Sequence, residues 1–490
     1  MKRLCAAFLV LIAILFLLWP ESKFSPPALP SEGAHTFTLS DESEFTGTFG
    51  TLTVPENRHT PESRDISVAY FVMEGEKKEN KAPPTFVLAG GPGGSFFRQL
   101  FRDGPVGEGV EFMRGLYAEH SDLILYELRG INYSQPVMRC EDDAFFWSPI
   151  RSVEDARSLL RANARRCRQK LIAEGFDLAG YTVLEAAQDI VDIADHLGIE
   201  TFGLQGTSFG SHLAMALMKY HPDRVDRALL SGVEGYDHTY DGPKALRETL
   251  MSISKQAASV WQASGRKDDP LTAFEAFAAG DVSSFEPYEL SFLLADGQDF
   301  NLGSRYSMRD WPAHIARILD GDMSFETFAL RNFAPMIFPL EGSGVAAVGL
   351  FDCSSGLSDE RRSAMQDYGF PIFQQISFFI YDSTCPAWNV PTLPDSFRDN
   401  SPVDVPVLFV QGDIDFSTPI HNTIDLLHVF RQAQLITVKN GSHGALGAAF
   451  AEQEEKITLL INQWFRGGDV NNAVIELPPV VFSAVPEKKY

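Results

Sequence analysis

Residues 203–214 read GLQGTSFGSHLA, Gly203 through Ala214. Inside them lies one G-x-S-x-G, from Gly206 to Gly210, centred on Ser208. Such a pattern arises by chance in long chains, so its surroundings must decide what it means. Upstream, Thr182 and Glu185 form a T-x-x-E signature ahead of Ala187, Ile190, Val191, Ala194 and Leu197, which keep helical spacing until Gly198. ETFGLQ (200–205) then reads as a buried strand. SFGSHLAMALMKYH reads as a helix stopped by Pro222, and VDRALLSG (225–232) as the next strand. Strand, tight turn, helix, strand is the setting in which a serine is pushed above a sheet as a nucleophile. Side chains two residues before and after it would collide with the neighbouring strand and helix, which accounts for Gly206 and Gly210. The amide of Phe209 opens the helix and points where an oxyanion would form.

An activated serine needs a base, and the base needs an orienting acid. Both are expected downstream, at strand ends. VPVLFVQG (405–412) is a buried-strand run, and DIDFSTP follows it. Thr418 and Pro419 read as the N-cap and first residue of a helix. Asp415 is the expected acid; Asp413 is the fallback and reads more simply as a turn residue. QLITVKN (434–440) is the following strand, and His443 stands just past it between small residues. Of the 11 histidines, His212 is expected to pack beneath the serine, and His421 and His428 fall on the helix after the acid loop. The second oxyanion donor is expected from the glycine-rich turn AGGPGGS (89–95), with Gly91 the favoured amide. That turn lacks the lysine of a phosphate loop.

Bulk properties narrow the function. Lys and Arg number 41 against 65 Asp and Glu, a formal charge of −24. Such a chain is no candidate for nucleic-acid binding, which favours basic surfaces. Lys2 and Arg3 precede an apolar run from Leu4 to Trp19, and a proline-rich stretch follows (20–34). This predicts a signal peptide or a membrane anchor at residues 4–19, with the bulk of the chain periplasmic or secreted. Beyond Cys5 the cysteines are Cys140, Cys167, Cys353 and Cys385. An even number in an exported chain predicts two disulfides, paired locally as 140–167 and 353–385, with the other two pairings open. No metal-ligand spacing is present, and no cofactor is implied.

Together these residues resemble the proline iminopeptidase and tripeptidyl aminopeptidase group of α/β-hydrolases. The group's H-G-G-P-G stands here as Ala89 to Gly93, and its D-Q-R-G-x-G-x-S as Glu127 to Ser134. Its G-x-S-Y-G-G stands as Gly206 to Ser211, its G-x-x-D-x-x-T-P as Gly412 to Pro419, and its histidine turn as Asn440 to Gly444. Cys353 and the Cys385-Pro-Ala-Trp388 segment are similar to the tripeptidyl aminopeptidase branch. The likeness spans roughly residues 36–465. Ala89, Glu127, Leu128 and Asn132 depart from the pattern in loops that border the acyl pocket, outside the triad. The resemblance implies a mostly parallel sheet flanked by helices, and release of residues or short peptides from a free N-terminus.

The expected organisation is a first core part at 35–234, an inserted helical cap at 235–390, a second core part at 391–466 carrying acid and base, and a tail at 467–490. VIELPPVVF (474–482) in the tail reads as an edge strand guarded by its prolines. A cap serving an aminopeptidase needs a carboxylate for the substrate ammonium, and Glu234 is the candidate. The cap aromatics of FAPMIFPL (333–340) would line a pocket or a core. Two other functions remain compatible with these residues: an exported esterase or thioesterase with the same triad, and a non-catalytic binding protein on the hydrolase fold.

Overall fold

The structure, a computed structural model, describes residues 28–75, 82–117, 120–140, 153–280, 304–322 and 344–487, with the isolated positions 290, 293, 294 and 302. The amino-terminal apolar run and the 333–340 segment lie outside the described residues. Among those described, no helix is long and apolar enough to cross a membrane.

Ten strands form one sheet: β1 (Gly33–Thr38), β2 (Glu44–Pro55), β3 (Asp65–Met73), β4 (Thr85–Leu88), β5 (Leu123–Tyr126), β6 (Phe202–Ser208), β7 (Val225–Val233), β8 (Val407–Gly412), β9 (Ala433–Lys439) and β10 (Ala473–Glu476). Their order is β1-β2-β3-β5-β4-β6-β7-β8-β9-β10. The first three run antiparallel, β3 meets β5 antiparallel, and from β5 to β10 every pairing is parallel. The sequence explains the split. β4, β5 and β8 are apolar runs buried at every position, because helices cover both faces. β2 instead alternates exposed and buried along its first half. This is the α/β-hydrolase architecture that the motifs imply.

Two apolar layers sandwich the sheet. One joins it to helices Val183–His196 and Phe209–Tyr220; the other joins it to Glu108–Tyr117 and Ala445–Phe465. The T-x-x-E signature is only half used. The Thr182 hydroxyl accepts from the Glu185 amide at 3.2 Å, but the Glu185 carboxylate turns to Arg58, whose Nη1 lies 2.6 Å from Oε2. A charge-assisted bond to a guanidinium outcompetes the return bond to the cap amide.

Between β7 and β8 the described residues hold helices Pro243–Ala263, Pro270–Ala278, Trp311–Leu319 and Pro371–Trp388 and no strand. All four of these helices contribute to a separate apolar cluster around Trp261, Phe274, Ile315 and Phe373. The tail differs from its reading. Only Ala473–Glu476 joins the sheet, along β9. After the prolines the chain leaves the edge, and Val480, Phe482 and Val485 enter that same helical cluster. Proline has no amide to extend the ladder. The cysteines sit as Cys140–Cys167 and Cys353–Cys385, with Cα–Cα separations of 5.1 and 5.2 Å.

Candidate active site

β6 runs directly into the helix that starts at Phe209, and Ser208 stands at the junction with φ 57° and ψ −129°. A non-glycine residue held there is strained by roughly 1–3 kcal/mol and persists only where its surroundings over-determine it. The surroundings do so here. Ser208 pairs with Val233 of β7, and its carbonyl accepts from the Ser211 hydroxyl at 2.6 Å. A Cβ on Gly206 would collide with the Gly210 carbonyl, and one on Gly210 with the Leu88 carbonyl of β4. Gly210→Ala is therefore expected to destabilise the fold by on the order of 3 kcal/mol through forced backbone shifts, seen as a lowered Tm.

The turn after β4 lies over the serine: a Cβ on Gly90 would stand 3.0 Å from Ser208 Cβ. Gly91, at φ 122°, adopts a backbone that side chains rarely tolerate. The Phe209 ring is buried at the helix start, with Phe351 packed edge-on at 5.7 Å between centroids.

Asp415 is fully buried. Its Oδ1 accepts from the amides of Ser417 and Thr418, each at 2.9 Å. Its Oδ2 accepts from Thr418 Oγ1 at 2.8 Å and Gln411 Nε2 at 2.9 Å, and lies 3.1 Å from His443 Nδ1. Thr418 does not cap the following helix. That helix runs Ile420–Leu426 with Pro419 at its N-cap, because the threonine hydroxyl is taken up by Asp415 and stands 3.0 Å from His443 Nδ1. Gln411 ties the acid to the elbow: its Oε1 accepts from the Val233 amide at 3.0 Å. His443 packs on Gly232, where a Cβ would approach its Cε1 to 2.9 Å. Burial opposes the imidazolium, but Asp415 and the nearby Asp241 outweigh it and hold the His443 pKa above the usual imidazole value.

Asp413 has a different task. Its Oδ1 accepts from the Asn440 amide at 2.7 Å, pinning the turn that precedes His443. His212 is buried beneath the elbow, its ring nitrogens 3.0 Å from the Gly235 carbonyl and 2.9 Å from Ser355 Oγ. Burial holds its pKa down at about 4, so it is neutral. His421 Nε2 pairs with Glu248 at 2.8 Å; His428 is not on the helix after the acid loop, which ends at Leu426, and lines a surface cavity.

Glu234 follows β7 directly, and its amide donates to Ser211 Oγ at 2.9 Å. Its Oε1 is buried with no hydrogen-bond partner. Burial, then the charges of Asp352 and Asp241, push its carboxyl well up. Burial lifts Asp352 well up too, and lifts Asp241 to about 7 although Asn422 donates to it. Sequence reading singles out Glu234 but not Asp241, seven residues further on, nor Asp352 from a distant segment; it also passes over Gln411 and Gly232, and it reads Thr418 only as a helix cap. For Gln411 a signal existed: an amide inside the apolar run VLFVQG has to be buried, and a buried amide needs partners.

A sequence family described as the alpha/beta hydrolase fold matches residues 86–447. The tripeptidyl aminopeptidase of Streptomyces coelicolor is 23% identical over 441 residues, covering 81% of this chain and 77% of its own. That of Streptomyces lividans is likewise 23% identical, covering 81% and 78%. Among solved structures, a serine hydrolase from Cycloclasticus zankles is 14% identical, covers 86% of this chain and 98% of its own, and has a TM-score of 0.35. A thermophilic esterase from Thermogutta terrifontis is 15% identical, covers 85% and 98%, and has a TM-score of 0.33.

Proposed function

The chain belongs to the α/β-hydrolase fold family, and from that premise we propose that it is an exported serine aminopeptidase releasing residues or short peptides from free N-termini. The observation that carries the catalytic half is the buried Asp415 held 3.1 Å from His443 Nδ1, together with a serine strained onto its elbow. In the proposed cycle His443, its Nδ1 proton held by Asp415, takes the Ser208 proton on Nε2 as Oγ attacks the scissile carbonyl carbon. The amides of Phe209 and Gly91 receive the developing oxyanion. His443 then passes the proton to the leaving amine, and water repeats the sequence to free the acyl group. The amino-terminal run of residues 4–19 and the two cysteine pairs support export.

The cluster of Glu234, Asp241 and Asp352 supports the preference for a free N-terminus. Without a ligand, burial pushes all three carboxyls up, and the charges of Asp352 and Asp241 push Glu234 up further. An arriving ammonium supplies the missing counter-charge, and the carboxyl at Glu234 ionises to hold it. Glu234→Gln is expected to raise KM for a free-amine peptide amide by about tenfold or more, with kcat nearly unchanged, since a buried charge-assisted bond is worth about 1.5–3 kcal/mol. Its rate on the N-acetylated peptide or on an ester should stay that of the wild type. An equal loss on all three would remove Glu234 from the role and favour the esterase reading.

A further inference from the structure

One buried acid near the elbow takes no part in the triad. Glu127 follows β5 and is 1% exposed. Its Oε2 accepts from Ser95 Oγ at 2.9 Å, and its Oε1 is buried with no hydrogen-bond partner. Ser95 is the last residue of the glycine-rich turn. Its hydroxyl also caps the short helix Phe96–Leu100, accepting from the Arg98 amide at 3.2 Å. The other end of the turn, at Gly90, rests on Ser208. The backbone of Glu127 is fixed from two sides: its amide donates to the Ala69 carbonyl of β3 at 3.0 Å, and its carbonyl accepts from Ser134 Oγ at 2.8 Å. A side chain so anchored can hold the turn in place.

We propose that Glu127 is a positioning residue, which through Ser95 fixes the glycine-rich turn above Ser208 and so places its amide donors for the oxyanion. The proposal rests on the serine-hydrolase reading of the site. The residue acts as the neutral acid. Burial pushes its carboxyl up to about 8, against the hydrogen bond from Ser95 and the pull of the nearby Asn132 side chain, the Tyr133 amide and the Arg98 guanidinium. The charged and titratable groups facing it are thus Arg98, from the helix after the turn, and the Tyr133 phenol, from the loop after β5. Once the proton leaves, a carboxylate with one unpartnered oxygen must draw water or polar groups toward itself. The element its side chain holds is the glycine-rich turn, through Ser95.

The test uses the full chain and diethyl 4-nitrophenyl phosphate, which phosphorylates an activated serine and has no titrating group near pH 8. Wild type should show a maximal inactivation rate that falls as pH rises through about 8, with unchanged half-saturation. Glu127→Ala and Ser95→Ala should each lower that rate about tenfold, the worth of one hydrogen bond to a neutral partner. Glu127→Gln, which copies the neutral acid, should restore the rate and abolish the alkaline fall. An alkaline fall that persists in Glu127→Gln would overturn the proposal, and so would wild-type rates in Ser95→Ala, which removes one hydroxyl and leaves the core filled. Wild type that never reacts would reject the serine-hydrolase reading itself and take this proposal with it, a result distinct from reaction with the wrong pH profile.

Discussion

Ser208→Ala is expected to lower turnover by about a million-fold, the loss seen when a triad loses its nucleophile. The fold should survive. The side chain removed is small, and the contacts that enforce the elbow belong to glycines 206 and 210, to Ser211 and to the β6–β7 pairing. Ser208→Gly sharpens the expectation. Glycine accepts a φ of 57° without steric penalty, so this variant should be equally inactive and yet more stable, by about 1–2 kcal/mol less whatever flexibility glycine adds to the unfolded chain. Inactive and more stable is the signature of strain stored at a working residue. A destabilised Ser208→Gly would mean that the backbone is not under strain there.

Asp415→Asn should lower kcat/KM by about ten-thousandfold, because the imidazole loses the acceptor that selects its tautomer. The replacement also places an amide among donors. Asp415 accepts from two backbone amides, a hydroxyl and the Gln411 amide, and an asparagine NH2 facing any of them leaves two donors in opposition. The pH dependence has a definite sign. The reaction needs neutral His443, and Asp415 holds the imidazolium form above the usual range. Activity should therefore rise with pH through a midpoint above about 6.5 in wild type. In Asp415→Asn the residual activity should rise through a lower midpoint, since the main charge raising the imidazole is gone while burial still pushes it down. Profiles of kcat/KM from pH 5 to 9 check this.

The sheet was legible because its signals are local. Buried parallel strands are apolar runs, and Gly206 is forced by the Gly210 carbonyl four residues on, although Gly210 itself is forced by β4. His443 could be separated from the other histidines because it alone follows a strand with small neighbours. What stayed hidden depends on contacts between distant segments. Thr418 reads as a helix cap until Asp415 is seen to take its hydroxyl. Glu185 reads as half of a capping box until Arg58 arrives from the β2–β3 connection. Glu234 could be proposed from its place after a strand, but Asp352 reaches it only when the segment around Phe351 packs on Phe209. The tail read as one strand because a strand propensity says nothing about where a chain leaves a sheet.

The most direct test of the aminopeptidase reading uses one chromogenic peptide amide with its amine free and acetylated, alongside a 4-nitrophenyl ester, on wild type and Ser208→Ala. Hydrolysis of the free-amine peptide, little or none of the acetylated one, and neither by Ser208→Ala is the expected result. Ester cleavage without activity on either peptide would contradict the peptidase account while leaving the triad in place.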